Sequence, residues 1–235
     1  MKNNEKIEVM VANVSHMRYT SIINDTIDVA SKARGTGIAR RTDEYINKKI
    51  LEGKAIIALE GEEFAGFCYI ESWGHNKYVA NSGLIVKKEY RGLGLARKIK
   101  QKAFALSREK FPDAKIFGLT TGLAVMKINH DLGYRPVTFS ELTDDESFWK
   151  GCQSCVNYDI LQRTNKTKCL CTGMLFDPVW EAEKVYEKNK SKKISLLEII
   201  GKFKAKGNLL KMNGKEPKIN GEKIDSVVTE PIKRS

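Results

Sequence analysis

Residues Leu84–Ala96 read LIVKKEYRGLGLA, and this stretch decides the fold. An apolar run closes at Val86. A turn carrying Arg91, Gly92 and Gly94 then opens into a long helical pattern, Gly94–Lys110, which Pro112 stops. A strand, turn and helix in this order aim several backbone N–H groups at one point and add the positive end of the helix dipole, as a pyrophosphate site requires. Glycine suits such a turn because a Cβ would obstruct an anion approaching the backbone. Arg91 adds a charge-assisted contact. Two nucleotide motifs are excluded, since no Lys-Ser/Thr pair follows the glycines and Arg97 stands where GxGxxG has its third glycine. The residues alone also allow a glycine-rich turn capping an ordinary helix.

Outward from this segment the chain alternates between strand and helix patterns. Ile7, Val9 and Val11 alternate as in a half-buried strand. Ser15 is placed to cap a helix carrying Tyr19, Ile22, Ile23, Ile27 and Ala30. A second helix starts at Thr42, with Asp43 and Glu44 in its first turn, and stops at Gly53. Runs at Lys54–Leu59 and Phe64–Ile70, joined through Gly61, predict a hairpin, and Tyr78–Val86 predicts a third strand. After the long helix come a strand (Lys115–Thr120), a short helix (Leu123–Leu132), a strand (Tyr134–Phe139) and two strand candidates, Val156–Leu161 and Lys168–Leu175. The pattern predicts an α/β (α+β) domain, a single mixed, mainly antiparallel sheet flanked by helices, over residues 1–178. Residues 179–235 form a basic tail, with an amphipathic stretch at Ile194–Phe203 and a composition that favours disorder beyond Lys204.

The 235 residues are 41% hydrophobic and 30% charged, the composition of a globular protein, and carry a net charge of +12. Half of that charge lies in the last 55 residues, where 14 Lys and Arg face 8 Asp and Glu. A basic balance suggests an anionic partner. The longest uninterrupted apolar run is Ala55–Leu59, far short of the ~20 residues a spanning helix needs. MKNNEKIEVM at the start is not a signal peptide, so the expected location is the cytoplasm, with reduced cysteines and no membrane partner.

Arg91-Gly-Leu-Gly-Leu-Ala96 resembles the Arg/Gln-x-x-Gly-x-Gly/Ala motif of the GNAT acyltransferase superfamily. Leu132-Gly-Tyr-Arg-Pro136 is similar to the superfamily's Gly-Phe/Tyr turn before its next strand, and the likeness runs in element order from Ile7 to Asp177. The resemblance implies an acetyl-CoA-dependent enzyme that holds its coenzyme through Leu84, Ile85, Val86, Arg91, Gly92, Leu93, Gly94, Leu95 and Ala96. A narrower likeness is to the acyltransferase domain of N-acetylglutamate synthases, carried by Gly37-Ile-Ala-Arg-Arg-Thr-Asp-Glu44, by Leu119-Thr-Thr121 and by Asn157-Tyr158. It implies Arg40 and Arg41 as holders of a substrate carboxylate, with L-glutamate as acceptor in arginine biosynthesis. An arginine pair ahead of a helix N-terminus gains nothing from the helix dipole, although a merely solvated pair stays open. Gly122 replaces the polar residue the synthases carry after Leu-Thr-Thr, and Ala80 replaces their central-strand acid.

The resemblance also implies direct attack of an amine on the thioester. Glu71 and Ser82 are the candidate catalytic residues, with His75 and Asn81 as neighbours able to face the acceptor cleft. A backbone N–H near Ile85 would hold the thioester oxygen. The superfamily's tyrosine donor to the departing thiolate falls at Asn129, which leaves that role vacant or filled by water.

Cys152, Cys155, Cys169 and Cys171 form C-x2-C and C-x-C, able to bind zinc if the last two strands pair; the same residues also suit four reduced thiols. Cys68 reads as core. Three alternatives remain: an N-succinyltransferase, a general amine or protein N-acetyltransferase, and a basic zinc-containing module for nucleic acid. The last is disfavoured because acids and few aromatics interleave with the tail's lysines. A homo-oligomer is left open.

Overall fold

The computed structural model describes residues 6–34, 41–183, 186, 187 and 190. The named elements lie within a compact unit, Met1–Lys184. They run β1 (Ile7–Val11), α1 (Thr20–Arg34), α2 (Asp43–Leu51), β2 (Ala55–Glu60), β3 (Glu63–Trp73), β4 (Tyr78–Val86), α3 (Leu95–Lys110), β5 (Lys115–Thr120), α4 (Leu123–Asp131), β6 (Arg135–Val137), α5 (Glu146–Lys150), α6 (Tyr158–Arg163) and β7 (Thr172–Phe176). The strands form one sheet in the order β1-β2-β3-β4-β5-β7-β6. Every neighbouring pair is antiparallel except β4–β5. The expected sheet is therefore present.

Two apolar layers sandwich the sheet. On one face Leu95, Ile99, Ala103 and Leu106 of α3 pack on Ile56, Ala58, Ala65 and Val79. On the other, Ile23 and Ile27 of α1 and Ile46 and Ile50 of α2 pack on Ile57, Phe67 and Ile85. Further along that second face, Phe139, Trp149 and Leu161 cover Ala80, Phe117 and Leu175. Burying such side chains contributes about 1.5–3 kcal/mol each.

Two departures from sheet regularity shape the centre. The register between β3 and β4 passes from Phe67↔Ile85 to Tyr69↔Ser82, so β4 holds one extra residue around Gly83, whose φ is 68°. The parallel pairing of β4 with β5 ends at Ala80↔Phe117. Beyond it β5 bonds only to β7, and the two strands part as a wedge.

Several local expectations need correction. Val156–Leu161 is not a strand. Asn157 stands at a helix N-cap, an Asp159–Arg163 pair at 3.3 Å bridges one turn, and the three-residue step from Tyr158 to Leu161 turns one side inward. The last strand begins at Thr172, because Asn165 and Lys166 adopt positive φ in a turn that the Thr164 hydroxyl ties to Lys168. It pairs with β5 and β6, so the hairpin expected to bring the cysteines together does not form. The strand at Tyr134–Phe139 shrinks to Arg135–Val137, since Thr138 and Glu141 close a reciprocal cap on a 3-10 turn. Ser15 is not the cap. Asn13 accepts from the Ser15 N–H at 3.0 Å and starts a 3-10 turn that leads into α1. The amphipathic stretch Ile194–Phe203 and the segment beyond Lys204 lie outside the described residues. Among the described residues no helix is long and apolar enough to cross a membrane.

Candidate functional site

The turn after β4 has the geometry its residues suggest. A 3-10 turn at Lys88–Tyr90 leads to Gly92 at φ 80° and Gly94 at φ 73°, and α3 begins at Leu95. Both glycines occupy the left-handed region that L side chains avoid. A Cβ at Gly92 would meet nothing within 4 Å, so its open side is available to a ligand. Arg91 does not reach outward with its whole head, since its Nε donates to the Val86 carbonyl at 3.1 Å. Leu84, Val86, Leu93, Leu95 and Ala96 turn their side chains into the core beneath α3, and Ile85 turns into the opposite layer. These positions offer a ligand backbone rather than side chain.

On the α1–α2 face, past the bulge in β4, lies a cavity of about 540 Å³. It brings together Arg41, Glu71, Ser82, Asn81 and all four of Cys152, Cys155, Cys169 and Cys171. His75 is not on its lining; it sits in the β3–β4 turn at φ 56°. Arg40 lies outside the described residues.

One wall is a connected polar network. Thr42 caps α2 by accepting from the Tyr45 N–H at 3.2 Å, which sets the turn from which Tyr45 and Lys49 project. Tyr45 Oη and Lys49 Nζ both donate to the Glu71 carboxylate, the latter at 2.5 Å. Lys49 is only 3% exposed. Burial foremost, then Tyr69 and Glu71, push the Tyr45 phenol well above its ordinary range, so it acts as a donor. Arg41 Nε donates to Tyr69 Oη at 3.1 Å, and its guanidinium lies 5.5 Å from the Tyr45 ring centre. Burial works against the Arg41 charge, but Tyr69, Tyr45 and Glu71 outweigh it and hold the proton more firmly than usual. Tyr45 and Tyr69 stand edge to face at 5.6 Å.

The opposite wall comes from α5, α6 and the turns around them. Asp145 caps α5 through the Ser147 N–H and accepts from Gly74 N–H at 3.1 Å, which ties this wall to the β3–β4 turn. Trp149 Nε1 donates to the Thr143 carbonyl at 2.8 Å, and Phe148 packs against Trp73 and Phe117. The thiols follow this anchor. Burial, then the neighbouring Cys155 and Cys169, push Cys152 up to about 11. Burial, then Cys169, Cys155 and Cys152, push Cys171 up to about 12. Cys152 and Cys171 are thus held as protonated thiols, and all four sulfur-bearing residues line the same cavity. Among the described residues no group of three or more His, Cys, Asp or Glu side chains is arranged to hold a metal ion, so the geometry gives the zinc expectation no support.

Tyr45, Lys49 and Tyr69 join Arg41 and Glu71 in this network, and the sequence did not single them out. Their spacing carries no motif. A tyrosine and a lysine on the apolar stripe of a short helix that begins beside Arg41 were the available signal.

Residues 39–127 match the family described as Acetyltransferase (GNAT) family. Three solved structures share the architecture. N-acetylglutamate synthase from Neisseria gonorrhoeae, complexed with coenzyme A and N-acetyl-glutamate, is 13% identical with a TM-score of 0.53, over 73% of this chain and 35% of that one. Rv2747 from Mycobacterium tuberculosis, in complex with CoA, is 14% identical with a TM-score of 0.51, over 72% and 98%. The putative acetyltransferase yncA from Salmonella typhimurium, with acetyl-CoA, is 13% identical with a TM-score of 0.51, over 73% and 94%. The chain thus spans about a third of the length of the gonococcal synthase. Among curated proteins no sequence matches it. At these identities the likeness establishes the fold, which is that of the GNAT acetyltransferases.

Proposed function

We propose that this chain, an acyl-CoA-dependent N-acetyltransferase by its GNAT segment and fold, takes as acceptor a small amino acid with a free carboxylate, L-glutamate first. Arg41 carries the reading. Its guanidinium stands on the cavity wall, positioned by Tyr69 and stacked near Tyr45, as a bidentate carboxylate holder must be. The lining contains Arg41 and Lys150 as cations and Glu71 as its one acid, and Glu71 is already paired with Lys49. An anionic acceptor therefore meets a positive balance. Among the described residues, the buried Trp73 Nε1 and Asn157 Nδ2, both on residues of the lining, have no hydrogen-bond partner.

Acetyl-CoA would lay its pyrophosphate on the Arg91–Gly94 turn and its pantetheine arm along Leu84–Val86 in the β4–β5 wedge. The amine attacks the thioester carbonyl, a β4 backbone N–H near Ile85 supports the oxygen, and the C–S bond breaks to release CoA. Glu71 and Ser82 flank the acceptor side of β3 and β4, where they order the water that removes the amine proton. Zinc has no part in this reading. Holding both substrates in attack geometry is the largest contribution expected of such a site.

The test is thiol release from acetyl-CoA with glutamate, aspartate, glutamine, spermidine and a lysine peptide as acceptors, repeated with succinyl-CoA. Glutamate should give the highest kcat/KM and acetyl-CoA the faster donation. Turnover with spermidine or peptide but none with glutamate would overturn the acceptor assignment.

A further inference from the structure

Lys100 stands where an apolar residue is expected. Ile99, Ala103 and Leu106 of α3 are core, and Lys100 among them is 2% exposed. Among the described residues no carboxylate pairs with it. Its Nζ donates to Asn81 Oδ1 at 3.2 Å and lies 5.3 Å from the Tyr134 ring centre. Tyr134 Oη donates to the same Asn81 oxygen at 3.0 Å, and Asn81 Nδ2 donates to Ser107 Oγ at 2.9 Å. The titratable groups facing the ammonium are Tyr134 and Cys68. Burial keeps both protonated, Tyr134 well above its ordinary range and Cys68 at about 11. Burial, only partly offset by Cys68, lowers Lys100 itself to about 8, so it still carries most of its charge near neutrality. A buried ammonium without a counter-ion is unfavourable, because it has left the water that solvated it. A transient anion at this place would offset that cost.

Asn81 says where the place is. It follows the last paired position, Ala80↔Phe117, and so marks the apex of the β4–β5 wedge. From Asn81 to Val86 the strand rises about 17 Å at ~3.3 Å per residue, comparable to an extended pantetheine arm. A coenzyme anchored by its pyrophosphate at Arg91–Gly94 brings its sulfur to that apex. Asn129, at the position of the superfamily's tyrosine donor, is 1% exposed and has an amide, which is no acid.

We infer that the Lys100 ammonium is the counter-charge for the CoA thiolate that leaves at the apex of the wedge. This rests on the coenzyme placement proposed above. As the amine nitrogen bonds to the carbonyl carbon, the C–S bond breaks and its electron pair goes to sulfur. The amine proton passes to water, and the thiolate takes a proton from water before CoA dissociates. Asn81 and Tyr134 are positioning residues that hold the ammonium in the floor of the wedge.

The experiment is calorimetric binding of CoA and of desulfo-CoA, which lacks the thiol, to the full chain between pH 6 and pH 9. The thiol of bound CoA should ionise about one unit or more below free CoA. With a free thiol near the ordinary ~8.5, CoA should therefore gain about threefold over desulfo-CoA as pH rises from 6 to 8 and more toward pH 9, with proton release on binding. Lys100→Met should lose that gain and lower kcat at unchanged acceptor KM; Lys100→Arg should keep it; both should bind desulfo-CoA like the wild type. If Lys100→Met does not fold, the wild-type comparison decides alone. Equal affinity for CoA and desulfo-CoA at every pH overturns the inference while leaving the coenzyme placement intact. Binding of neither ligand overturns the coenzyme placement, and the inference with it.

Discussion

Gly83→Ala tests the link between the β4 bulge and the acceptor wall. Gly83 has φ 68°, and a Cβ built there lies 2.6 Å from Tyr69 Cε1 and 2.8 Å from Cδ1. To regain the 3.4 Å of ordinary contact the ring must retreat by about 0.8 Å. It has little room, since Tyr69 is 3% exposed and packs between Phe67 and Tyr45. The left-handed backbone costs an alanine about 1–2 kcal/mol. Overpacking costs about 1–3 kcal/mol more. The sum, about 2–5 kcal/mol, is a large share of a typical domain's stability and should lower Tm by roughly 5–20 °C. Gly61→Ala is the control, because Gly61 has φ 59° but nothing within 4 Å of a Cβ, and should show the backbone cost alone. Function should follow the ring. Displacing Tyr69 loosens its 3.1 Å bond to Arg41, so KM for a carboxylate acceptor should rise about three- to tenfold, as for loss of one hydrogen bond. Tyr69→Phe, which keeps the ring and loses the hydroxyl, should reproduce the KM change with a smaller loss of Tm. A Gly83→Ala protein that melts like Gly61→Ala and keeps its acceptor KM would refute the reasoning.

Other predictions follow from the same geometry. Gly92→Ala has open space for its Cβ and should lose only about 1–2 kcal/mol of stability, yet raise the acetyl-CoA KM tenfold or more by crowding the anion turn; an unchanged coenzyme KM would count against that turn. Arg41→Lys removes the fork and the Tyr69 bond and should cut kcat/KM for glutamate about 10- to 100-fold while sparing acceptors that lack a carboxylate; equal losses for both kinds would deny the carboxylate contact. Cys152 and Cys171, held near 11 and 12, should alkylate slowly with iodoacetamide at pH 7.5 and faster above pH 10, as quantified by mass spectrometry; fast labelling at neutral pH would contradict the burial. Because both thiols bind protons more tightly folded than unfolded, their contribution to stability is complete below about pH 8.5 and declines as pH rises toward 11–12, a trend denaturant melts would reveal.

The parts of the fold written in local signals were legible. Leu84–Ala96 gave strand, turn and helix with the start of α3 one residue from its expected place, and β4, β5 and the turn at Gly61 agree as closely. Glycine at a left-handed turn and apolar alternation act over a few residues, so the sequence states them directly. Residues 156–171 were misread because their structure depends on packing against the nearby α5 and on β7 pairing with β5, more than 50 residues away. The acceptor wall was half legible. Arg41, Glu71 and the cysteines were singled out, and one cavity collects them. The network joining Arg41 to Glu71 was not, because Tyr45 and Lys49 approach Glu71 only when α2 packs beside β3.

The two buried lysines show what a sequence can say about such groups. Both sit in lysine-rich surroundings, NKK and IKQK, that pass for solvated helix faces. Position mattered more than composition. Lys49 lies three residues after Ile46 and next to Ile50, and Lys100 lies three before Ala103 and seven before Ser107, so each falls on its helix's buried stripe. A lysine in such a place must snorkel, pair or lose its proton. At Lys49 the counter-charge, Glu71, is already present; at Lys100, among the described residues, no carboxylate pairs with the ammonium, and its counter-ion arrives when the thioester bond breaks. The unequal partnering of two equally buried cations therefore separates a residue that shapes the acceptor wall from one whose counter-ion the reaction itself supplies.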